Sequence, residues 1–121
     1  MMRPGIKLFL HDDKAGGLFG DGKYRLLLAI KEHGSLQEAA KSLGRGYRKA
    51  WGDIRKSEKA LGRKLVKRAR GGRAGGSSEL TEFGIKVLDA WKEYRVSVKD
   101  GMGKAYERYL RELIEGGTDD R

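Results

Sequence analysis

The order of elements in this chain predicts a mainly α fold with a small β wing, closed by a long C-terminal helix. Three observations lead there. Short helices joined through glycines are followed by a strand, a glycine-rich loop, a return strand and a long apolar-striped helix. Thirteen Lys or Arg fall between Lys41 and Arg73 against two acids, Asp53 and Glu58, whereas the other 88 residues carry 14 basic and 15 acidic groups. The whole formal excess of +10 therefore lies in one third of the chain, which is what a polyanion-binding face requires and a merely solvated surface does not.

Taken in order, Ile6 to Leu10, the Gly16-Gly17 turn and Leu18-Phe19 read as a small β-hairpin. Asp21 is placed to cap a helix starting near Lys23, in which Leu26, Leu27, Leu28 and Ile30 form a wide apolar face. Gly34 ends it at a left-handed C′ position. Ser35-Leu36-Gln37-Glu38 is a capping box, opening a short helix with Leu36, Ala39, Ala40 and Leu43 on one side. Its small alanines let another helix approach closely. Gly44-Arg45-Gly46 interrupts the chain, and a third helix runs from Tyr47 to Leu61 with Tyr47, Ala50, Trp51, Ile54 and Leu61 at core spacing.

Gly62 stops that helix, Leu65-Val66 is a short strand, and Glu79-Leu80 is its return partner. Between them, Ala69 to Ser78 is a polar, glycine-rich loop. Thr81 caps a long helix through Phe83, Val87, Trp91, Tyr94 and Val98. Gly101 and Gly103 are expected to weaken or break it before a second stripe from Tyr106 to Ile114. The division that follows is a winged helix-turn-helix domain with its N-terminal hairpin over residues 1–81, a helical dimerisation arm over 82–115 and a disordered tail over 116–121.

A helix-turn-helix places its second helix in the major groove of DNA. Arg48 and Lys49, in the first turn of that helix, are the expected base contacts, with Arg45 on base or phosphate. Tyr47 stands among them in sequence, although its spacing reads as packing. Arg55 and Lys56 lie further along, where contacts position the protein without reading sequence. Arg68 opens the wing, and Arg70 and Arg73 within it suit a minor groove or the phosphate backbone. Trp91, Tyr94, Val98 and the Tyr106 to Ile114 stripe offer more apolar surface than one small domain covers, which marks a homodimer interface to which Phe83, Val87, Trp91, Tyr94 and Val98 are assigned; a fold-back of the helix onto its own domain is the alternative.

Other classes are poorly supported. No Gly-Lys-Ser or Gly-Lys-Thr triplet opens a helix, so a phosphate-cradling nucleotide loop is not indicated. The two histidines, His11 and His33, are isolated, and His11-Asp12-Asp13 reads as a solvated turn rather than a metal site. Cysteine is absent, which removes disulfides and thiolate ligation. Neither catalysis, a metal nor a cofactor is expected. There is no membrane-length apolar run and no signal-peptide pattern, which places the chain in the cytoplasm with double-stranded DNA as its partner.

The stretch Gly34-Ser35-Leu36-Gln37-Glu38-Ala39-Ala40-Lys41-Ser42-Leu43-Gly44, followed by Tyr47-Arg48-Lys49-Ala50-Trp51, resembles the DNA-binding domain of the ModE-type molybdenum-dependent regulators. So do Leu65-Val66, the loop Gly71 to Gly76, and Leu80-Thr81-Glu82-Phe83-Gly84. That domain is similar in turn to the LysR-type winged helix, and the likeness spans roughly Lys7 to Tyr94. It implies a transcription regulator that dimerises through the long helix and binds an inverted-repeat operator. ModE-type proteins carry molybdate-binding modules after this domain. The chain ends at Arg121, so molybdate sensing by this polypeptide alone is not expected. Two alternatives remain open: an architectural protein that coats DNA without reading it, and an adaptor whose C-terminal helix docks another protein.

Overall fold

The computed structural model describes residues 2–14, 16–69 and 77–116. Two antiparallel strands, β1 (Phe9–Asp12) and β2 (Gly16–Gly20), form the N-terminal hairpin, with a bulge between Leu10 and His11. Lys14 N donates to Asp12 Oδ2 at 3.0 Å and closes the turn as an Asx motif. At Gly20 a β-carbon would stand 2.8 Å from the Leu8 carbonyl oxygen, so glycine alone lets the two strands leave the hairpin this close together.

Helix α1 (Asp21–His33) buries Leu26, Leu27, Ala29 and Ile30 and ends at Gly34, whose φ of 74° lies in the left-handed region. Its start differs from expectation. Asp21 is the first helical residue, not the cap, and Gly20 precedes it without a side-chain bond to the free amides. The Asp21 carboxylate is instead turned sideways, accepting from Leu8 N at 3.3 Å, Trp91 Nε1 at 3.0 Å and Arg95 Nε at 3.0 Å. Three partners outside the helix outcompete the helix's own amides.

Helix α2 (Leu36–Ser42) is capped as its sequence predicts, with Glu38 N donating to Ser35 Oγ at 2.9 Å. Ala39 and Ala40 are fully buried. The turn to α3 (Tyr47–Leu61) passes through Gly44 at φ 68°, and Arg45 N donates to the Ala40 carbonyl at 2.8 Å. The buried side of α3 is Ala50, Ile54, Ser57 and Glu58. Tyr47 departs from its core spacing: it opens the first turn of α3 and is 47% exposed.

Gly62 ends α3 in the left-handed conformation. Strand β3 (Val66–Arg68) then pairs with β4 (Ser78–Leu80), Val66 opposite Leu80 and Arg68 opposite Ser78. Leu65, expected in the strand, instead sits just before it, wholly buried. Its amide donates to Glu58 Oε2 at 2.7 Å, and Val66 N reaches the same oxygen at 3.1 Å, so a side chain takes the place of a ladder partner. Ser78 N donates to Gly34 O at 2.9 Å, which ties the wing to the end of α1.

Helix α4 (Glu82–Tyr109) opens at Thr81, whose hydroxyl accepts from Gly84 N at 2.9 Å and donates to Lys64 O at 2.7 Å. It runs without interruption through Gly101 and Gly103, contrary to the expected break. Each glycine costs a helix about 1 kcal/mol relative to alanine but removes no hydrogen bond, so neither suffices as a stop. The break falls at Leu110, and α5 (Arg111–Glu115) follows it directly. Tyr106, 8% exposed, donates its hydroxyl to Glu115 across that break, and Arg111 lies between Glu107 and Glu115.

One core unites β2, the first three helices, the wing strands and α4: Phe19, Leu27, Ile30, Leu36, Ile54, Leu65, Leu88 and Trp91 pack together with α1 at the centre. Full burial of a leucine or isoleucine contributes roughly 1.5–3 kcal/mol, so α1 anchors the fold. No helix among the described residues is long and apolar enough to cross a membrane.

Candidate nucleic-acid interface

The burial of one side of α3 decides what the other side presents. With Ala50, Ile54, Ser57 and Glu58 turned inward, Arg48, Lys49, Arg55, Lys56 and Lys59 are all exposed. The inner face is pinned by polar contacts as well as packing: Ser57 donates its hydroxyl to the Leu18 carbonyl of the hairpin, and Glu58 holds the amides of Leu65 and Val66. A helix fastened at hairpin and wing cannot rotate its basic side away.

Within that side the cations are not equivalent. Arg48 stands in the first turn beside exposed Tyr47. Lys49, with 75% of its side chain exposed, lies 3.8 Å from Asp53 one turn on, a surface pair worth little in water. The Arg55 guanidinium lies over the half-buried Trp51 ring at 5.3 Å, which presents it pre-oriented. Arg45 is half-buried, and its Nη2 donates to the Gly22 carbonyl of α1 at 3.2 Å. One face of its guanidinium is therefore structural.

Arg68 is exposed at the end of β3, where the wing begins. Lys67, its neighbour, pairs with Glu79 across the two strands at 3.8 Å. Arg70 and Arg73 lie outside the described residues, as do most of the wing loop and the expected tail beyond Gly116. Arg63 stacks on Phe83 at 4.1 Å and fastens the end of α3 to α4.

Several side-chain contacts around this face are not singled out by sequence. Lys23, on α1, lies beside Asp53, Lys56 and Lys49; burial is the first cause of its lowered pKa, Asp53 opposes it, and Lys56 and Lys49 add smaller contributions in the same direction as burial. Glu58 is the wing's anchor, and its signal was available, since Ala50, Ile54, Ser57 and Glu58 follow the i, i+4, i+7, i+8 spacing of one buried stripe. Asp21 and Arg95 are 74 residues apart, and nothing local in the sequence joins them.

The five residues assigned to dimerisation separate in space. Trp91 is 5% exposed and meets Phe19 edge to face at 5.0 Å, so it belongs to the chain's own core and not to a free surface. Phe83 and Val87 are half-buried against that core, and Val98 is half-buried further along. Tyr94, 46% exposed, is open. An apolar groove of about 330 Å³ runs between Leu10 of the hairpin and Val87, Ala90 and Tyr94 of α4. Among the described residues no group of His, Asp and Glu is gathered to hold a metal ion.

Two short helices joined by a glycine turn, the second pinned with a cationic side outward, and a two-stranded wing before a long helix define a winged helix-turn-helix of the DNA-binding class. The family model "Bacterial regulatory helix-turn-helix protein, lysR family" matches residues 22–85, and the chain belongs to that family. It is 31% identical over 105 residues to the molybdenum transport protein ModE of Azotobacter vinelandii, covering 87% of this chain and 38% of that protein. It is 38% identical over 99 residues to the molybdenum-pterin-binding protein MopA of Rhodobacter capsulatus, covering 82% and 34%. With the DNA-binding transcriptional dual regulator ModE of Escherichia coli K12 the identity is 35% over 75 residues, covering 61% and 29%. The chain thus spans about a third of the length of these relatives. Among solved structures, ArgP from Mycobacterium tuberculosis shares the fold, with a TM-score of 0.51 at 22% identity over 69% of this chain and 29% of that one.

Proposed function

We propose that this protein is a sequence-specific regulator that binds double-stranded DNA as a homodimer on an inverted repeat. The observation that carries this reading is the pinned α3, which turns Arg48 and Lys49 outward at the end of the helix that a helix-turn-helix inserts into the major groove. Arg48, Lys49 and Tyr47 face base edges; Arg55, Lys56 and Arg68 meet phosphates, with Arg45 bridging the two sets. Arg70 and Arg73 extend the contact along the wing.

Dimerisation is supported by what α4 leaves uncovered: Tyr94 and Val96, the groove beside Leu10, and Leu113, which is 82% exposed on α5. A two-fold pair would set its recognition helices about one helical turn of DNA, ~34 Å, or a multiple of it apart. No catalytic step is assigned. The molybdenum of the relatives' names is not carried over, since the match covers about a third of each.

Sedimentation of the protein with and without duplex DNA tests both halves. A two-to-two complex of protein chains and half-sites supports the reading, and a monomer on DNA sinks the dimer. An architectural role gains some support from the run of exposed Arg55, Lys56, Lys59, Arg63 and Lys64, which are cations suited to phosphate rather than to bases. A partner protein on the exposed α5 residues Leu113 and Ile114 is the competing use of the C-terminal surface.

A further inference from the structure

Beside the first turns of α3, between the hairpin and the start of α1, lies an open pocket of about 420 Å³. Phe9, Gly22, Lys23, Arg45, Lys49 and Asp53 are among its lining residues. We propose that this pocket is a phosphate-binding subsite that receives a backbone phosphate of the duplex, with Lys23 as its central cation. The proposal rests on the DNA-binding reading above and extends the contact to α1, outside the basic segment.

Three cations and one carboxylate share the pocket, and the carboxylate, Asp53, is already 3.8 Å from Lys49 Nζ. The surplus is positive. Arg45 is held at the wall by its bond to Gly22 O at 3.2 Å, and a β-carbon at Gly22 would stand 3.2 Å from the same Nη2, so glycine allows this approach. Lys23 Nζ lies 3.4 Å from Leu18 O, a contact that takes one of its three protons. Lys23 is half-buried, and burial is the first cause of its lowered pKa, with Asp53 opposing it and Lys56 and Lys49 adding to it; an ammonium desolvated in this way gains more from an arriving anion than a solvated lysine does. Lys49 lines the pocket and also follows Arg48 in the first turn of α3, so the pocket adjoins the groove-facing end of that helix. The duplex backbone that borders the groove is the phosphate in reach, and exposed Phe9 offers a face for its sugar.

The test compares wild type, Lys23→Gln and Lys23→Arg by fluorescence anisotropy on operator and random duplexes, from about 0.05 to 0.2 M salt. Lys23→Gln is expected to weaken both duplexes by the same factor, about tenfold. Its plot of log affinity against log salt should be shallower by about 0.9. Lys23→Arg should recover the slope, which a folding defect would not allow. Wild-type binding with an unchanged slope in Lys23→Gln overturns the subsite and leaves the DNA reading standing. Failure of wild type to bind any duplex overturns both. Inorganic phosphate binding to wild type without DNA, at micromolar concentration and lost in Lys23→Gln, would assign the pocket to a free anion and overturn the duplex assignment.

Discussion

The Asp21 carboxylate and the Trp91 indole are joined by a hydrogen bond of 3.0 Å across 70 residues of chain, and Arg95 Nε donates to the same oxygen at 3.0 Å. This junction fixes the angle at which α4 leaves the DNA-binding domain. Asp21 opens α1, Trp91 and Arg95 lie one turn apart on α4, and Leu8 N adds the hairpin as a third element. In a dimer built on α4, that angle also sets the spacing of the two recognition helices.

Asp21→Ala removes the acceptor of all three donors while Trp91 stays buried, and should cost about 2–3 kcal/mol of stability. Thermal unfolding of the variant against wild type measures this. A loss below about 0.5 kcal/mol, the range of an ordinary surface substitution, would show that the junction is ornamental.

The same carboxylate predicts a pH dependence. Burial raises its pKa, but the hydrogen bonds from Trp91, Leu8 N and Arg95, with the Arg95 charge, together outweigh burial and hold it below the ordinary value. A depressed folded-state pKa contributes stability above the unfolded value of about 3.9, and that stability is lost as pH falls through the folded pKa. Urea midpoints from pH 6 down to 2 should therefore fall at the acid end, and by less in Asp21→Asn. Parallel curves for the two proteins would refute the assignment.

Glu58 should behave as the wing's anchor. Glu58→Ala leaves the buried amides of Leu65 and Val66 without their acceptor and is expected to cost about 2–4 kcal/mol, most of it regained in Glu58→Gln. Hydrogen exchange at those two amides is the direct readout. Protection unchanged in Glu58→Ala would mean that the amides are held by something else.

The continuity of α4 is testable through its glycines. A β-carbon at Gly101 or Gly103 meets nothing within 4 Å, and neither residue has a positive φ. Each change to alanine should stabilise the protein by about 0.4–1 kcal/mol. Destabilisation would place a break in the helix there, as the sequence alone suggests.

Much of the fold is written locally. Gly34, Ser35, Gly62 and Thr81 mark helix boundaries through properties of a single residue, either a tolerated positive φ or a capping oxygen, and all four act so in the structure. The basic face of α3 is legible for the same reason, because helical periodicity tells which side is buried. Contacts between distant elements are not. The partners of Asp21 lie on other elements, and its own position next to Gly20 and Gly22 reads as a cap. Trp91 could be called an interface residue only because its partner Phe19 is 72 positions away. Gly101 misleads because the helix penalty of glycine is small beside the many hydrogen bonds that continue through it.

Arg48→Ala should flatten base preference, since an arginine on guanine O6 and N7 contributes ~1–3 kcal/mol of discrimination. Arg55→Ala should weaken operator and random duplex alike. Competition titrations with both duplexes separate the two behaviours. Equal losses on both duplexes for both variants would remove the division between reading and positioning.

The central claim, that a two-fold pair of α3 helices reads DNA sequence, is tested most directly by selecting bound fragments from random duplex DNA at about 0.15 M salt, where non-specific binding is weak. The account predicts recovery of one inverted repeat, with half-site centres about one helical turn apart or a multiple of it. Fragments without a shared motif, held with a preference below about tenfold where specific regulators exceed ~10³, would contradict it and leave a protein that coats DNA.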